Sequence, residues 1–565
     1  MVDLLTLTIL LPLLGAGSIF FVSFLLLKYG VEETRFLALA ASLAVAGLAL
    51  VFVCVLKGSD GLTAELSAWT SALLAESVLK LRLDALVWPV ALALSVATCF
   101  LLLADLGRGR NASPRLAAVS LVLLGAALAA LWTASPLTTI ISWALYDLFL
   151  LLGQIAAGCT ARDAVRSLAA GCLSGLLLTA GVFVHENGMG TVQWVLMPPG
   201  GASTTVWLLA ALLRIGAYPV HGSIPGRVAS SSPLVTALRL SPVIGWGLLL
   251  RLLVVGDGVL AVGAWAKTAA FLTLAAGGFL GWTAKSSDAI RRWIGVAGSG
   301  AVLLGAVMAS VDGTPGVRPD GFPMTVALGA ASWVFGMTVL HLGGGLERKE
   351  VLSAERLPCS LPSLLGAMSL IGAPLTLGLV TGSSVLRGLV REGQWGWGVG
   401  FFVGQAWLVA AVARWLFPPD PPRVLAKGEG GRFGEPTRVA ALLGPALSLA
   451  LAGVAPSLLL SGSSGLSLGI LVAGPGPIGW LLWATASLLG GIIRWQDANL
   501  RPGLSHWLDV LHDFVRLDWA YDLVVGTIEQ GFAIVRVVDD ILGGKAALLW
   551  SLILLLILIL VGRFA

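Results

Sequence analysis

The sequence predicts an all-α polytopic membrane protein. Of its 565 residues, 57% are hydrophobic and 12% are charged, and the mean hydropathy is +0.93. A soluble domain carries about a quarter charged residues. Apolar runs of membrane-spanning length recur along almost the whole chain, so we expect short loops and little soluble mass. The net charge of +5 is small and dispersed, and it indicates no nucleic-acid partner.

About sixteen apolar runs are long enough to cross a bilayer. They cover residues 4–27, 35–56, 84–104, 115–133, 137–158, 167–184, 204–221, 232–254, 259–283, 291–310, 322–343, 361–386, 395–417, 437–461, 466–493 and 546–562. The first run lacks a cationic start and stays apolar for a full span, so we interpret it as a retained helix and not as a cleaved signal.

Basic residues are concentrated in the loops that follow odd-numbered spans, among them Arg162, Arg166, Arg227 and Lys285. The positive-inside rule places these loops in the cytoplasm. With about sixteen spans, both termini are then outside. We expect an integral protein of the bacterial inner (cytoplasmic) membrane, with the lipid bilayer as its surroundings.

No pattern in the sequence indicates a cofactor or a metal site. The five cysteines are scattered and form no CxxC motif and no Cys/His cluster. The chain also lacks a nucleotide, flavin or haem signature. We therefore expect no cofactor and no redox step carried out by this chain alone.

One apolar run contains both an arginine and a helix break. Arg214 lies inside the segment 204–240, and Pro219, Gly222, Pro225 and Gly226 follow it. An arginine in hydrocarbon costs roughly 3 kcal/mol on insertion scales. Proline and glycine disrupt a helix. Broken backbone at membrane depth is tolerated only when it is buried in protein or lines a water-filled cavity. Together these features suggest a transport path.

A second apolar run, 363–386, is also interrupted. The interrupting residues are Gly372, Pro374, Gly378 and Gly382. Interrupted helices in corresponding positions of two halves indicate a transporter with inverted repeats. We predict two inverted five-helix repeats, with helices 4–8 in residues 115–256 and helices 9–13 in residues 257–417. Helices 1–3 precede them in 1–114.

The C-terminal region adds helices 14–15 in residues 418–503 and a different kind of segment in 504–565. Residues 504–541 have apolar positions at helical spacing with many charges between them, and are too charged to span. We predict a long amphipathic lateral helix along the membrane surface or against partner subunits, before the final span. The alternative is an ordinary amphipathic connector.

The two breaks resemble those of the proton-conducting antiporter-like membrane subunits of respiratory complex I, the NADH-quinone oxidoreductase, and of Mrp-type Na+/H+ antiporters. The first reads Arg214-Ile-Gly-Ala-Tyr218-Pro219-Val-His221, beside the family's Lys-x-x-x-[Phe/Tyr]-Pro-x-His. The second reads Gly372-Ala-Pro374-Leu-Thr-Leu-Gly378-Leu-Val-Thr-Gly382, beside Gly-x-Pro-Pro-Leu-x-Gly-Phe-x-x-Lys.

Further matches follow in order along nearly the whole chain: Arg82-Leu-Asp84, Asp288-Ala-Ile-Arg291-Arg292 and Arg516-Leu-Asp518-Trp-Ala-Tyr521-Asp522. The last resembles the largest such complex I subunit, which has a lateral helix before its final span. The resemblance implies proton (or Na+) translocation coupled to quinone-linked electron transport. It also implies other membrane subunits of a complex I-like or Mrp-like assembly as partners.

The chain departs from this family at the residues that carry protons. The family's essential glutamate corresponds to Ala144, and its broken-helix lysine to Arg214. Its mid-channel lysine corresponds to Gly336, and the lysine that ends the second motif to Gly382. A buried lysine can release a proton, whereas an arginine effectively cannot. We therefore expect translocation to be weakened or lost.

Asp147 is the candidate replacement for the missing carboxylate. It follows Ala144 by three residues, and we expect both on one face of the helix, with Asp147 paired to Arg214. Such a pair either gates water and tunes a neighbour, or only offsets the cost of two buried charges and joins two helices. The sequence leaves both interpretations open.

Four further polar residues are candidates for a proton path or gate, and three of them have a plainer interpretation. They are His221, Arg239, Lys267 and His341. Lys267 is alternatively a lysine that snorkels from a helix end. His221 alternatively caps broken backbone, and His341 alternatively marks the loop end of its helix.

Two other functions fit the same sequence. The chain is either a non-pumping scaffold that docks partner subunits through its lateral helix, or an accessory subunit of an inorganic-carbon or cation transport system. In each case it is at most a non-catalytic membrane subunit.

Overall fold

The computed structural model describes residues 2–28, 33–59, 61–71, 74–185, 194, 202–226, 228–255, 264–309, 322–346, 361–391, 393, 395–417, 434–459, 468–523, 526–527 and 530. The predicted final span, 546–562, and the part of the lateral segment beyond residue 530 lie outside these residues. The chain divides into a large unit, residues 1–500, and a smaller one, residues 501–565, and each is described by itself.

The described chain is almost entirely helical, as predicted. Helices α1 to α6 cover Val2–Lys28, Glu33–Val55, Trp88–Leu106, Pro114–Leu131, Pro136–Ala156 and Ala161–Val184. Helices α7 to α12 cover Ala202–Ile215, Val235–Arg239, Pro242–Val255, Ala264–Thr283, Ser287–Ala309 and Phe322–Leu346. Helices α13 to α19 cover Leu361–Leu370, Leu379–Arg391, Trp395–Leu416, Gly434–Val454, Leu468–Ala473, Gly476–Trp495 and Asp497–Arg516.

Twelve stretches of described helix are long and apolar enough to cross a membrane, and three apolar helices, α7, α13 and α14, are shorter. Each predicted span from residue 4 to residue 493 contains a helix. The three short helices flank the predicted breaks, because the chain is interrupted there before a full span is complete. The total of sixteen and the inverted relation of the repeats stay predictions.

One element departs from the all-α expectation. Strands β1, Thr63–Ser71, and β2, Leu74–Arg82, form a two-stranded antiparallel hairpin between α2 and α3. The Arg82 amide donates to the Trp132 carbonyl, and the Ala134 amide donates to the Lys80 carbonyl, so β2 is fastened to the chain that follows α4. These bonds satisfy backbone groups at the edge of the hairpin.

The first break is enclosed by protein. Helix α7 ends at Ile215, and Gly216 turns the chain with a φ of +78°. The segment beyond the break pairs with the α5–α6 loop, where Val228 bridges Cys159 and the Ser230 amide donates to the Ala157 carbonyl at 3.0 Å. The freed backbone groups therefore find partners inside the protein, which is the condition for a break at membrane depth.

The second break is closed by backbone contact. Helix α13 ends at Leu370, Gly372 has a φ of +74°, and α14 begins at Leu379. A Cβ on Gly378 would collide with the Ser369 carbonyl group, and a Cβ on Gly382 would stand 2.6 Å from the Gly372 carbonyl oxygen. The glycines at these positions are required because the two halves of the break touch there.

Helices α10, α11 and α15 pack on one another within the large unit, and α9 and α12 are almost wholly buried. In contrast, α1, α6 and α18 each expose large apolar side chains, such as Phe21, Phe183 and Leu488. Exposed apolar faces of this kind suit contact with lipid or with other membrane subunits.

We expect Gly378→Ala to lower the thermal unfolding midpoint of the purified protein, because overpacking a close backbone contact costs about 1–3 kcal/mol. Gly491→Ala in α18 is the control, since a Cβ there meets nothing within 4 Å. It should leave the midpoint unchanged or raise it slightly, because alanine favours a helix over glycine. Equal effects of the two variants would contradict the close contact at Gly378.

Candidate ion-translocation site

Asp147 of α5 and Arg214 of α7 form a buried ion pair beside the first break. Arg214 Nη2 lies 2.5 Å from Asp147 Oδ1, and the residues are 4% and 7% exposed. This ion pair brings together the two charges that the sequence placed on these helices.

Aromatic rings and a glycine enclose the pair. The Arg214 guanidinium carbon lies 5.2 Å from the centre of the Trp143 ring and 5.8 Å from that of Tyr146. Cation–π contacts of this length stabilise an arginine in an apolar site. From α6, a Cβ on Gly171 would stand 2.6 Å from Arg214 Nη1 and 2.7 Å from both Asp147 carboxylate oxygens. Glycine is thus needed for α6 to pack against the charges.

Ala144 and Asp147 differ in burial, although the spacing of three residues makes them neighbours on the helix surface, as expected. Ala144 is exposed on the outer side of α5, next to the exposed Leu145 and Leu148, whereas Asp147 is buried. Positions three apart are offset by about 60° around the helix axis, and the edge of the buried face of α5 lies between these two. Of the two residues, Asp147 is the one that faces Arg214.

The sequence resemblance sets Gly336 and Gly382 beside two lysines of that family, and both glycines are tightly packed here. A Cβ on Gly336 would stand 2.8 Å from Leu370 Cγ, so α13 covers the place that a longer side chain would need. A Cβ on Gly382 would stand 2.6 Å from the Gly372 carbonyl oxygen. At both positions, neighbouring atoms occupy the space into which a longer side chain would extend.

A second buried cluster joins α8, α11 and α12. Arg239 donates through Nη1 and Nη2 to the two carboxylate oxygens of Asp288, both at 2.7 Å, and Nη1 also lies 3.0 Å from His341 Nε2. His341 Nδ1 lies 2.9 Å from the Met337 carbonyl oxygen. A carbonyl only accepts and an arginine only donates, so His341 is a neutral imidazole with its proton on Nδ1.

The two remaining candidates lie on other elements. His221 begins a short 3-10 turn in the first break, stacks with Tyr218 at 6.0 Å and contacts the Trp293 ring at 4.9 Å. Lys267 is the fourth residue of α10 and is buried there. The polar candidates thus fall into an Asp147–Arg214 group, an Arg239–His341 group and two separate positions.

Sequence reasoning missed several buried charged groups, among them Arg251, Asp105 and Arg414. Arg251 of α9 forms an ion pair with Asp84 and donates to the Leu131 carbonyl at 3.0 Å. Asp105 accepts from the Ser113 amide and from Ser232 Oγ, both at 2.8 Å, and joins the α3–α4 turn to the first break. Arg414 of α15 donates to the Trp282 carbonyl. Their charge was visible in the sequence, but apart from Ser113 the partners named here are more than 100 residues away along the chain.

The α5–α6 loop contains Cys159, which lies outside the spans. Burial, and in second place the Asp163 carboxylate, raise the pKa of this thiol to about 11. A thiol with that pKa is almost fully protonated at neutral pH and is a poor nucleophile. Within the described residues, no three His, Cys, Asp or Glu side chains converge as a metal site requires.

The fold is that of known membrane complexes. The chain is similar to a chain of the Mrp complex from Dietzia sp. DQ12-45-1b, with a TM-score of 0.74 and 16% identity over 99% of this chain and 63% of that one. It is similar to a chain of the membrane-bound sulfane sulfur reductase, an archaeal respiratory membrane complex, with a TM-score of 0.71 and 14% identity over 98% and 99%.

A chain of respiratory complex I from Thermus thermophilus with bound NADH gives a TM-score of 0.62 and 17% identity over 86% of this chain and 99% of that one. No protein-family model matches the chain, and no curated protein matches it in sequence. The chain therefore has the fold of membrane chains in these complexes, and the resemblance drawn from the two breaks is confirmed at the level of the fold.

We expect Asp147→Asn to destabilise the protein by about 3–5 kcal/mol, because it leaves Arg214 buried without a counter-charge. Replacing both residues by leucine should cost much less than the sum of the single losses. Unfolding in detergent, followed by circular dichroism, measures this cycle. Glu65→Gln, at the exposed Glu65–Lys80 pair, is the matched control and should cost less than about 1 kcal/mol. Additive single losses would show that the pair is not coupled.

Proposed function

We propose that the chain is an antiporter-like membrane subunit of a complex I-like or Mrp-like assembly, in which proton or Na+ translocation is weak or lost. The fold supports the first part of this proposal, that the chain is a membrane subunit of such an assembly. The sequence of the two breaks supports it as well, since each carries the Pro/Gly pattern of the resembling family. Coupling to quinone-linked electron transport would come from partner subunits, because this chain carries no redox signature.

The Asp147–Arg214 pair is the observation behind the proposal that translocation is weak or lost. A proton relay needs groups that gain and lose protons. Arg214 stays charged, and its guanidinium holds the Asp147 carboxylate as a 2.5 Å ion partner. Protonating Asp147 would leave Arg214 uncompensated in a buried site, which is costly. The pair is therefore a poor proton carrier and a good electrostatic anchor.

Packing in the second predicted repeat supports the same conclusion. The positions of Gly336 and Gly382 are filled by Leu370 and by the Gly372 carbonyl. His341 is held as a neutral acceptor between Arg239 and a backbone carbonyl. Taking up a proton on Nε2 would set a second positive charge against Arg239. This cluster therefore stabilises one protonation state and opposes proton exchange.

The proposed setting is a bacterial inner membrane with both termini outside, in agreement with the distribution of basic loops. The exposed apolar faces of α1, α6 and α18 would meet lipid or neighbouring membrane subunits.

We expect proton flux to be nearly independent of Asp147. The tagged chain, purified with its native partner subunits and reconstituted in liposomes that contain a pH-sensitive dye, should give a similar low flux for wild type and Asp147→Asn under an imposed pH or Na+ gradient. A residue that relays protons contributes about 100-fold or more. Strong wild-type flux that Asp147→Asn abolishes, in an assembly that remains intact, would contradict the proposal and indicate a relocated relay.

A second candidate function is that of a structural scaffold. Helix α19, with the residues just after it, exposes large apolar side chains among charged ones, including Trp507, Phe514 and Trp519. An amphipathic helix with exposed aromatic residues suits a partner protein or a membrane surface. This function agrees with the closed proton path and places the role of the chain in assembly.

If the chain is a scaffold, deletion of residues 504–562 should dissociate its partner subunits, as measured by native electrophoresis of the detergent extract. The paired substitution Trp507→Ser/Phe514→Ser keeps the final span and should weaken the same association. Leu152→Ser, on the exposed side of α5, is the control. An intact complex in both the deletion and the paired variant would exclude the scaffold role of this helix.

A further inference from the structure

Helices α10 and α15 run side by side in the same direction. A Cβ on Gly400 would stand 2.9 Å from Phe271 Cδ1, and a Cβ on Gly278 would stand 2.7 Å from the amide nitrogen of Leu408. The two helices thus advance together from the first of these contacts to the second. Because they keep this register, they also begin at nearly the same level.

Helix α18 packs on α15, and arginines join the ends of the three helices. A Cβ on Gly490 would collide with the backbone of α15. Arg494, in the last turn of α18, donates to the carbonyl of Phe417 just after α15. Arg414, in the last turn of α15, donates to the carbonyl of Trp282 in the last turn of α10. These carbonyls lack partners inside their own helices, and a cation is favourable there. The three helices therefore end at one level.

We call α10, α15 and α18 the three-helix wall, and exposed tryptophans lie at both of its ends. Trp265 and Trp395, 37% and 49% exposed, lie in the first turns of α10 and α15, and Trp495, 80% exposed, ends α18. The helices contain 20, 22 and 20 residues, which corresponds to a height of about 30 Å. This is the thickness of the hydrocarbon core of a bilayer, and tryptophan is enriched at its two interfaces.

Between these ends, the outward side of the wall is apolar and uncharged. Its exposed large side chains include Leu272, Val399 and Leu488. Among the described residues of the three helices, no exposed one is charged. The exposed threonines, Thr268 and Thr485, donate to carbonyls of their own helices at 2.9 and 2.8 Å. Their hydroxyl groups are thus bonded inside the helix, which lowers the cost of placing them in hydrocarbon.

The inward side of α18 carries the small residues through which membrane helices pack closely. Its buried residues are Gly479, Ala486 and Gly490. Its outward side carries mainly large apolar side chains, such as Leu481 and Leu488, which are 64% and 66% exposed. Close helix–helix packing in membranes depends on small residues. The packing surface of α18 is therefore the one already used against its own chain.

We propose that the outward side of the three-helix wall contacts the acyl chains of the bilayer and carries no partner subunit. Trp265 and Trp395 then mark one membrane interface, and Trp495 marks the other. The occupant is lipid because the wall matches the hydrocarbon core in height, has tryptophan at both boundaries and exposes no charge between them. The inference rests on the proposed function for the existence of partner subunits, and it places them on other faces of the chain.

Nitroxide labels test what covers the wall. Val399→Cys and Leu488→Cys are made in a chain whose five native cysteines are replaced by alanine. The labelled chain is purified with its native partner subunits and reconstituted in liposomes. We expect oxygen, which dissolves in hydrocarbon, to relax both labels, and a water-soluble nickel chelate to have no effect on them. Glu65→Cys, at an exposed position of the hairpin, is the control and should respond to the chelate.

The other results overturn the lipid contact. A label at position 488 that neither reagent reaches shows that protein covers the wall, and a label that the chelate reaches shows water there. If no partner subunit purifies with the chain, the proposed function fails by itself, because the labels still report what covers the wall.

Arginine substitutions test the two membrane levels. Thr485→Arg, in the middle of α18, should reduce the amount of chain recovered in the membrane fraction, because an arginine at the centre of the hydrocarbon core opposes insertion. Trp495→Arg should leave that amount unchanged, since an arginine at the interface keeps its charge in water. Equal losses in the two variants, or no loss in Thr485→Arg, overturn the assigned levels.

Discussion

The buried contact between Asp147 and Arg214 is the interaction on which the first half of the molecule depends. A permanent positive charge in the apolar interior requires a counter-charge, and α5 supplies one at 2.5 Å. Two aromatic rings from the same helix and the bare backbone of Gly171 complete the enclosure. The position of α5 relative to α6 and α7, and hence the start of the first break, follows from the requirement that this charge stay paired.

The interrupted backbone of both breaks must be enclosed by protein, and the two breaks meet this requirement in different ways. The first is held by hydrogen bonds to loops and side chains, including the bonds that Asp105 accepts from Ser113 and Ser232. The second is held by glycine-mediated contact of backbone with backbone at Gly378 and Gly382. At the second break the Ile371 carbonyl also accepts from Gln405 Nε2 at 2.8 Å and from Trp483 Nε1 at 3.0 Å, so side chains from two other helices complete its backbone bonds.

The sequence predicted most of the fold because its signals were local. Proline and glycine inside apolar runs located both breaks, and span length located the helices. The β1–β2 hairpin was missed because it lies in a stretch that was read only as a loop. The difference in burial between Ala144 and Asp147 was not predicted, because spacing shows that two residues are neighbours on a helix but does not show where its buried face ends. Arg251 and Arg414 were missed because carbonyl acceptors distant in sequence leave no trace in it.

Gly336 limits which side chains this position of α12 can carry. Because Leu370 fills the space next to it, a longer side chain at position 336 requires α13 to move. A replacement of Asp147 is limited in another way, because it leaves a buried arginine unpaired. A single substitution at either position therefore begins with a loss of stability, and an engineered change at either one needs a compensating change in the residues packed against it.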